Sequence, residues 1–288
     1  MRRPFISACL LALGLRSEAW ADDAHGVGDP RAALSMRTGI LHTDDDVFGA
    51  TWYRPVTLEA SAWIMRTPRS WMNGLQAYGS LGVESASIDY SERPAYYEEG
   101  LAGIHQADIR VGHALALGLG VRGSIFDDGR FRLTGFGDVS LPLGASDVGV
   151  DALLIDLEGL KIDVAKAVKQ NASVTYEGRT YRLGLTAGAS FRAGSLRWTP
   201  YLTVGWLRYY AMISFDMNDR LKAALRTFGV DPAVLSERAI VESKVFFAPG
   251  ARLDLSRSWS LEAQAILGRY DGTWVAAGMA GAAWRFGR

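Results

Sequence analysis

Along most of this chain apolar residues fall at every second position. The clearest stretch is the C-terminal one. Ala251, Leu253 and Leu255 alternate with Arg252 and Asp254, and a polar break follows at Ser256-Arg257-Ser258. Trp259, Leu261, Ala263, Ala265 and Leu267 then alternate with Ser260, Glu262, Gln264 and Gly268. After Asp271-Gly272, a hairpin signal, the last run puts Trp274, Ala276, Gly278, Ala280, Ala282, Trp284 and Phe286 on one face. A period of two makes a strand with one apolar and one polar face. These runs have about the length that a tilted strand needs to cross a bilayer, and aromatics stand near their ends.

The same pattern runs upstream. It predicts strands over residues 35–42, 48–65, 71–90, 101–111, 115–125, 131–141, 147–155, 181–191 and 196–206, ahead of the three at the C-terminus. Short breaks near Pro68, His113, Ala145, Gly194 and Arg257 alternate with more variable connections, three of them long. Short and long connections on opposite rims suit an up-and-down barrel. The count is twelve, with ten open because the first and seventh strands are weakly patterned. Two stretches switch to helical spacing. Residues 158–170 carry Leu160, Val164 and Val168, read as a short amphipathic helix or an irregular loop. Residues 218–238 carry Leu221, Ala224 and Leu225 behind Asp219 as a cap, with Gly229 and Pro232 as stops. Helical inserts of this kind belong in long outer loops. The expected fold is all-β: a single antiparallel up-and-down transmembrane β-barrel with short helical inserts.

Composition sharpens this picture at a few points. Lys plus Arg equals Asp plus Glu, 31 each, so no basic field points to nucleic acid. Mean hydropathy is close to zero, as expected where alternation averages it away. Arg2-Arg3, the mostly apolar residues 5–15 and Ala19-Trp20-Ala21 form a secretory signal peptide over residues 1–21. Residues 22–34 read as a polar periplasmic lead-in and 35–288 as the barrel. Cys9, the only cysteine of the 288 residues, falls in the signal. The mature chain then has no thiol chemistry, which suits an oxidising envelope compartment.

Strand parity places one set of charges inside the barrel. The lumen-facing candidates are Glu59, Glu84, Asp108, Arg110, Arg122, Arg132, Asp138, Arg182, Arg197, Arg252, Asp254, Glu262 and Arg285. Buried charges are costly unless paired or hydrated, so the simplest reading is a mutually salt-bridged lumen. The other is a narrow pore or small anion site. By the same parity Leu183, Leu185, Leu261 and Leu267 face lipid. Thr186 should tolerate arginine better than Leu185 does, since it looks onto charge and water. His25, His42, His105 and His113 show no zinc-type spacing, and no G-x-S-x-G motif is present. We therefore expect no catalytic residues, no metal and no cofactor.

The terminal strand, ending in outward Phe286, resembles the C-terminal assembly signal of bacterial outer-membrane β-barrels, although Gly287 and Arg288 follow it. Residues 181–209 and 249–286 are similar to autotransporter translocator domains and to small outer-membrane proteins. The resemblance implies a barrel located in the outer membrane of a Gram-negative bacterium. An autotransporter carries a long secreted passenger before its barrel, whereas only the lead-in of residues 22–34 separates the expected signal from the first strand, so no passenger domain is expected. The barrel's partners would be outer-membrane lipids and the barrel assembly machinery, engaged through the C-terminal strand. The expected function is a non-enzymatic narrow pore or a structural or surface-interaction protein. The alternatives are an outer-membrane lipid or peptide hydrolase and a soluble lipocalin-like barrel. Parity alone leaves the oligomeric state and any transported solute open.

Overall fold

The structure is a computed structural model. It describes residues 32–45, 49–66, 71–90, 103–144, 146–157, 160–163, 165–227, 237–256, 258–270 and 273–286. The expected signal peptide and most of the lead-in lie outside the described residues.

The strands are β1 (Ala32–Asp45), β2 (Gly49–Arg66), β3 (Trp71–Tyr90), β4 (Gly103–Asp127), β5 (Phe131–Pro142), β6 (Ser146–Leu157), β7 (Leu160–Asp163), β8 (Ala172–Ala189), β9 (Phe191–Ala193), β10 (Leu196–Met217), β11 (Glu237–Asp254), β12 (Trp259–Tyr270) and β13 (Thr273–Phe286). Helix α1 (Ala165–Asn171) precedes β8, and α2 (Asp219–Thr227) follows β10. Neighbouring strands pair antiparallel, β1 pairs with β13, and β8 pairs with β10, so the sheet closes on itself. The fold is a transmembrane up-and-down β-barrel.

Its wall has ten strands, the lower of the two counts that the alternation leaves open. The reason is local. Residues 112–114 and 144–146, expected as turns, interrupt strands without reversing them. β4 runs through residues 112–114, and its register against β3 slips there by one residue, the mark of a β-bulge. β5 and β6 both run antiparallel to β4, pairing with residues 116–127 and 103–111 of it. They therefore run in the same direction, as one wall strand broken beside Gly144, whose φ is 119°. The two interruptions lie next to each other in the wall. With them removed from the turns, the tip at Asp127-Asp128-Gly129 falls on the same rim as both ends of the barrel. That tip is tight. Gly129 has φ 86°, Gly129 N–H donates to Asp127 Oδ1 at 2.8 Å, and Phe131 N–H donates to Asp128 Oδ1 at 2.7 Å. The Phe131 amide, with that of Arg130, holds the Asp128 carboxyl below its ordinary value.

The outer face is apolar and the inner face is largely polar. Leu34, Met36, Leu58, Leu119, Leu183, Leu185, Val204, Leu261 and Leu267 are exposed, while Ser35, Arg37, Glu59, Arg122, Arg182 and Arg252 are buried. A water-soluble barrel reverses this; a membrane barrel requires it. At the terminus-side rim Phe131, Phe191, Trp198, Trp259 and Trp284 are all exposed, with Phe191 and Trp198 at 5.9 Å and Trp259 stacked on Trp284 at 6.3 Å. From Phe191 back to outward Tyr181 the wall covers ten residues. At roughly 3.3 Å per residue and a tilt of about 40°, that is about 25 Å of height, the thickness of a membrane barrel's apolar band.

β4, with its 25 residues, is far longer than that band needs. Its first part, with the ends of β3 and β6, rises beyond the band as a ribbon at the far rim. α1 and α2 crown the tops of β8 and β10 beside it. Asp163 caps α1 by accepting the Ala165 N–H at 2.9 Å, and Asn218, rather than the expected Asp219, caps α2 by accepting the Leu221 N–H at 3.0 Å. Asn218 also donates to Asn171 at 2.9 Å, tying the helices together. The expected continuation of the second helical stretch over residues 228–236 lies outside the described residues.

Candidate functional site: the filled lumen

The interior is built from cross-strand neighbours that interlock. Glu59 of β2 lies at its centre, 2 % exposed, with Arg37 of β1 at 3.4 Å and Arg122 of β4 at 3.2 Å. Arg122 also donates through Nε to Gln76 and stands 4.8 Å from the Tyr78 ring. One strand further, the Tyr78 hydroxyl donates to Asp138 Oδ2 at 2.9 Å, and Arg182 donates to Asp138 Oδ1 at 2.8 Å. Toward the terminus-side mouth, Arg132 binds Asp127 through Nε at 2.9 Å and also through Nη2. Arg252 and Arg285 share Asp254 at 2.8 and 3.0 Å, and the Tyr201 hydroxyl donates to Glu262. Many of these charges sit beside an opposite one because adjacent strands bring inward positions level, as in the register pair Asp138–Arg182.

Aromatic rings fill the space between these pairs, and glycine makes room for them. Tyr78 lies over Gly120, Phe136 over Gly184, Phe246 over Gly205 and Tyr201 over Gly250, each pair directly opposite in register. A Cβ on any of these glycines would overlap the ring. The β10–β13 side of the lumen adds apolar filling from Leu207, Phe246, Ala248, Ile266, Ala277 and Met279, all buried. Toward the far rim Val150, Val174, Tyr176 and Met217 are buried, as is Ala165 at the start of α1. The cleft described at the terminus-side mouth has a free volume of ≈ 10 Å³, about one water molecule.

Of the candidates read from parity, the structure brings Glu59, Arg122, Arg132, Asp138, Arg182, Arg197, Arg252, Asp254, Glu262 and Arg285 to the interior. Asp108 and Arg110 require a correction. The bulge at residues 112–114 flips the parity of Asp108 and Arg110, which precede it in β4. Arg110 pairs with Ser87, on the outward face of β3, and its side chain is 65 % exposed, 3.1 Å from Asp151 and 3.6 Å from Asp108. This pair of candidates lies on the outside of the far-rim ribbon. There Lys169 of α1 donates to Asp151 at 2.8 Å, and this bond and charge hold the Asp151 carboxyl below its ordinary value. For Glu84 only the backbone position in β3 is described. The side chains of the four histidines also lie outside the described residues.

Parity reading missed Arg37, Gln76, Tyr78 and Asp127. Arg37 lies in the weakly patterned first strand, where Leu34, Met36 and Ile40 opposite it were the available signal. Asp127 reads as a turn residue because it precedes Asp128-Gly129, yet its side chain turns inward to Arg132. The aromatics have polar ends but count as apolar, so simple alternation does not assign them to a charged interior. Among the described residues no three His, Cys, Asp or Glu side chains meet as a metal would need.

No family model matches this chain, and no curated protein matches it. Solved structures similar to it include the translocator domain of the autotransporter NalP from Neisseria meningitidis, at 12 % identity and TM-score 0.43, covering 92 % of this chain and 91 % of that one. The transport unit of the autotransporter AIDA-I from Escherichia coli is similar at 11 % identity and TM-score 0.46, covering 99 % and 100 %. The outer membrane protease OmpT from Escherichia coli is similar at 7 % identity and TM-score 0.44, covering 94 % and 99 %.

Proposed function

We propose that this chain is a non-enzymatic, sealed β-barrel of a Gram-negative outer membrane, in which the lumen serves as a structural core and the far rim as a surface for interaction. The observation that carries this reading is the filling of the interior. A pore needs a continuous wet path, whereas Glu59 with Arg37 and Arg122, the ring-over-glycine pairs, and apolar side chains such as Leu207, Phe246 and Ile266 are buried inside the wall. A hydrolase needs groups poised toward a substrate. The interior carboxylates described here are instead turned onto arginine or tyrosine partners.

The outward apolar band, its aromatic rim and the signal-like start of the chain support the outer-membrane location and argue against a soluble barrel. The far rim then faces outward, carrying the ribbon of β3, β4 and β6 with Arg110, Asp151 and Lys169 on its surface, and α2 with Arg220, Lys222 and Arg226. A cysteine placed by Lys222→Cys tests this topology, because the only native cysteine, Cys9, lies in the expected signal. A membrane-impermeant maleimide should label it on intact cells. Labelling only after permeabilisation would invert the topology. Turnover of phospholipid or peptide by the refolded protein would replace this reading with an enzymatic one.

A further inference from the structure

We infer that the terminus-side mouth of the barrel binds a phosphate-type oxyanion, with Arg197 as its principal ligand. The cleft there is lined by the ends of β4, β5, β8 and β10 and includes Arg132, Ser190, Arg197 and Thr199. Arg132 is neutralised by Asp127, whose second oxygen accepts the Gly129 N–H at 2.8 Å. Asp254 is the register partner of Arg197, yet its carboxylate is engaged by Arg252 and Arg285. Arg197 is left with one hydrogen bond, from Nη2 to Ser190 Oγ at 2.9 Å, and no carboxylate within ion-pair reach among the described residues. Ser190 in turn bonds Thr199 at 3.0 Å. Arg197 is half-buried, so water does not fully solvate its charge.

A guanidinium carries five N–H donors in a fixed fork, and here one is used. Two hydroxyls stand beside it, and at the same rim Arg130 lies over the Phe131 and Phe191 rings at 5.3 and 6.0 Å. Donors and positive charge in excess select an anion with several acceptor oxygens; phosphate matches the arginine fork in two-point contact. The free volume of ≈ 10 Å³ admits one oxygen-sized group, so the body of the ligand stays outside the mouth. Two sources fit that chemistry. One is free phosphate in solution. The other is a lipid phosphate headgroup in the adjacent leaflet, whose interface is marked by Phe131, Phe191 and Trp198.

The test uses the full chain refolded in maltoside micelles, titrated calorimetrically with inorganic phosphate at constant ionic strength. Wild type should bind, and Arg197→Gln should weaken binding about tenfold or more, the worth of a charge-assisted contact. Arg130→Gln, on the exposed rim, should weaken it by a smaller factor without touching the interior, which keeps the test usable if Arg197→Gln folds poorly. Arg110→Gln, exposed on the far rim, should leave it unchanged. Doping the micelles with phosphatidic acid distinguishes the sources: loss of the phosphate isotherm assigns the site to a lipid headgroup, and an unchanged isotherm assigns it to free phosphate. No isotherm for wild type, or equal isotherms for wild type, Arg197→Gln and Arg130→Gln, overturns the proposal.

Discussion

Replacing Glu59 with glutamine is the sharpest perturbation of the interior. The substitution keeps size and one acceptor oxygen but removes the charge. Arg37 and Arg122, at 3.4 and 3.2 Å with side chains 4 % and 3 % exposed, then lose the carboxylate between them. Breaking a buried ion pair by removing one partner costs about 3–5 kcal/mol, because the remaining charge is stranded away from water. Glu59→Gln removes the carboxylate that lies between these two buried arginines, so the loss should fall within that range. Arg110→Gln is the control. Its partner Asp151 is as close, at 3.1 Å, but Arg110 is 65 % exposed, and a surface pair of that kind contributes about 0–1 kcal/mol. Both variants would be refolded into phospholipid vesicles and unfolded in urea at equilibrium, with tryptophan emission as the probe. Replacing Glu59, Arg37 and Arg122 together with apolar residues should recover part of the loss, since the three buried charges are then removed together. If Glu59→Gln costs no more than Arg110→Gln, the centre of the lumen is hydrated and the packed-core reasoning fails.

Three further outcomes follow from the same geometry. Gly120→Ala drives a methyl into the Tyr78 ring and should cost about 1–3 kcal/mol in the same assay, whereas Gly268→Ala, with nothing within 4 Å of the new Cβ, should be close to neutral. Leu185→Arg, midway between Phe191 and Tyr181 on the outward face, should cost about 2–4 kcal/mol and lower the folded fraction seen by heat-modifiable migration on gels. The Asp128 carboxyl is held below its ordinary value of 3.8 by the amides of Phe131 and Arg130, so its support of the turn is complete above that value and disappears as pH falls through the lower folded one. The protection factor of the Phe131 amide, its exchange relative to the intrinsic rate at each pH, should therefore be constant at neutral pH and fall only in strong acid, and Asp128→Asn should remove that acid dependence.

Much of the wall was legible in the sequence because its physics is local. Period two assigns a face to each residue of β8, β10, β12 and β13, and the structure has Leu183, Leu185, Leu261 and Leu267 on the outside. Legibility stopped where parity is not conserved. A bulge changes which face a residue takes without changing composition, so Gly112-His113-Ala114 has the pattern of a turn, and simple alternation puts Asp108 and Arg110 on the wrong face. Gly144 misled in the same way, since a glycine with positive φ serves a turn and a kink equally well.

What fills a lumen is harder to read than what faces it. Thr186 faces inward, but it is 2 % exposed and bonded to Thr203 at 2.8 Å, so it does not look onto open water as the alternation suggests, and an arginine there has no ready space. Ring-over-glycine pairs depend on register between strands, as Tyr201 and Gly250 show, 49 positions apart in the chain. No window of sequence reports that distance. The charged pairs are similar: Arg37 meets Glu59 only because β1 and β2 pair at that height.

The most direct test of the account is the single-channel conductance of the wild-type protein, refolded and inserted in planar bilayers, with heat-modifiable migration of the same sample as proof of folding. A lumen sealed by Glu59 with its arginines, by rings seated on glycines, and by apolar side chains such as Leu207, Phe246 and Ile266 predicts folded protein and no discrete current steps. Reproducible ohmic steps from folded wild-type protein would contradict it and make the charged interior the wall of a pore.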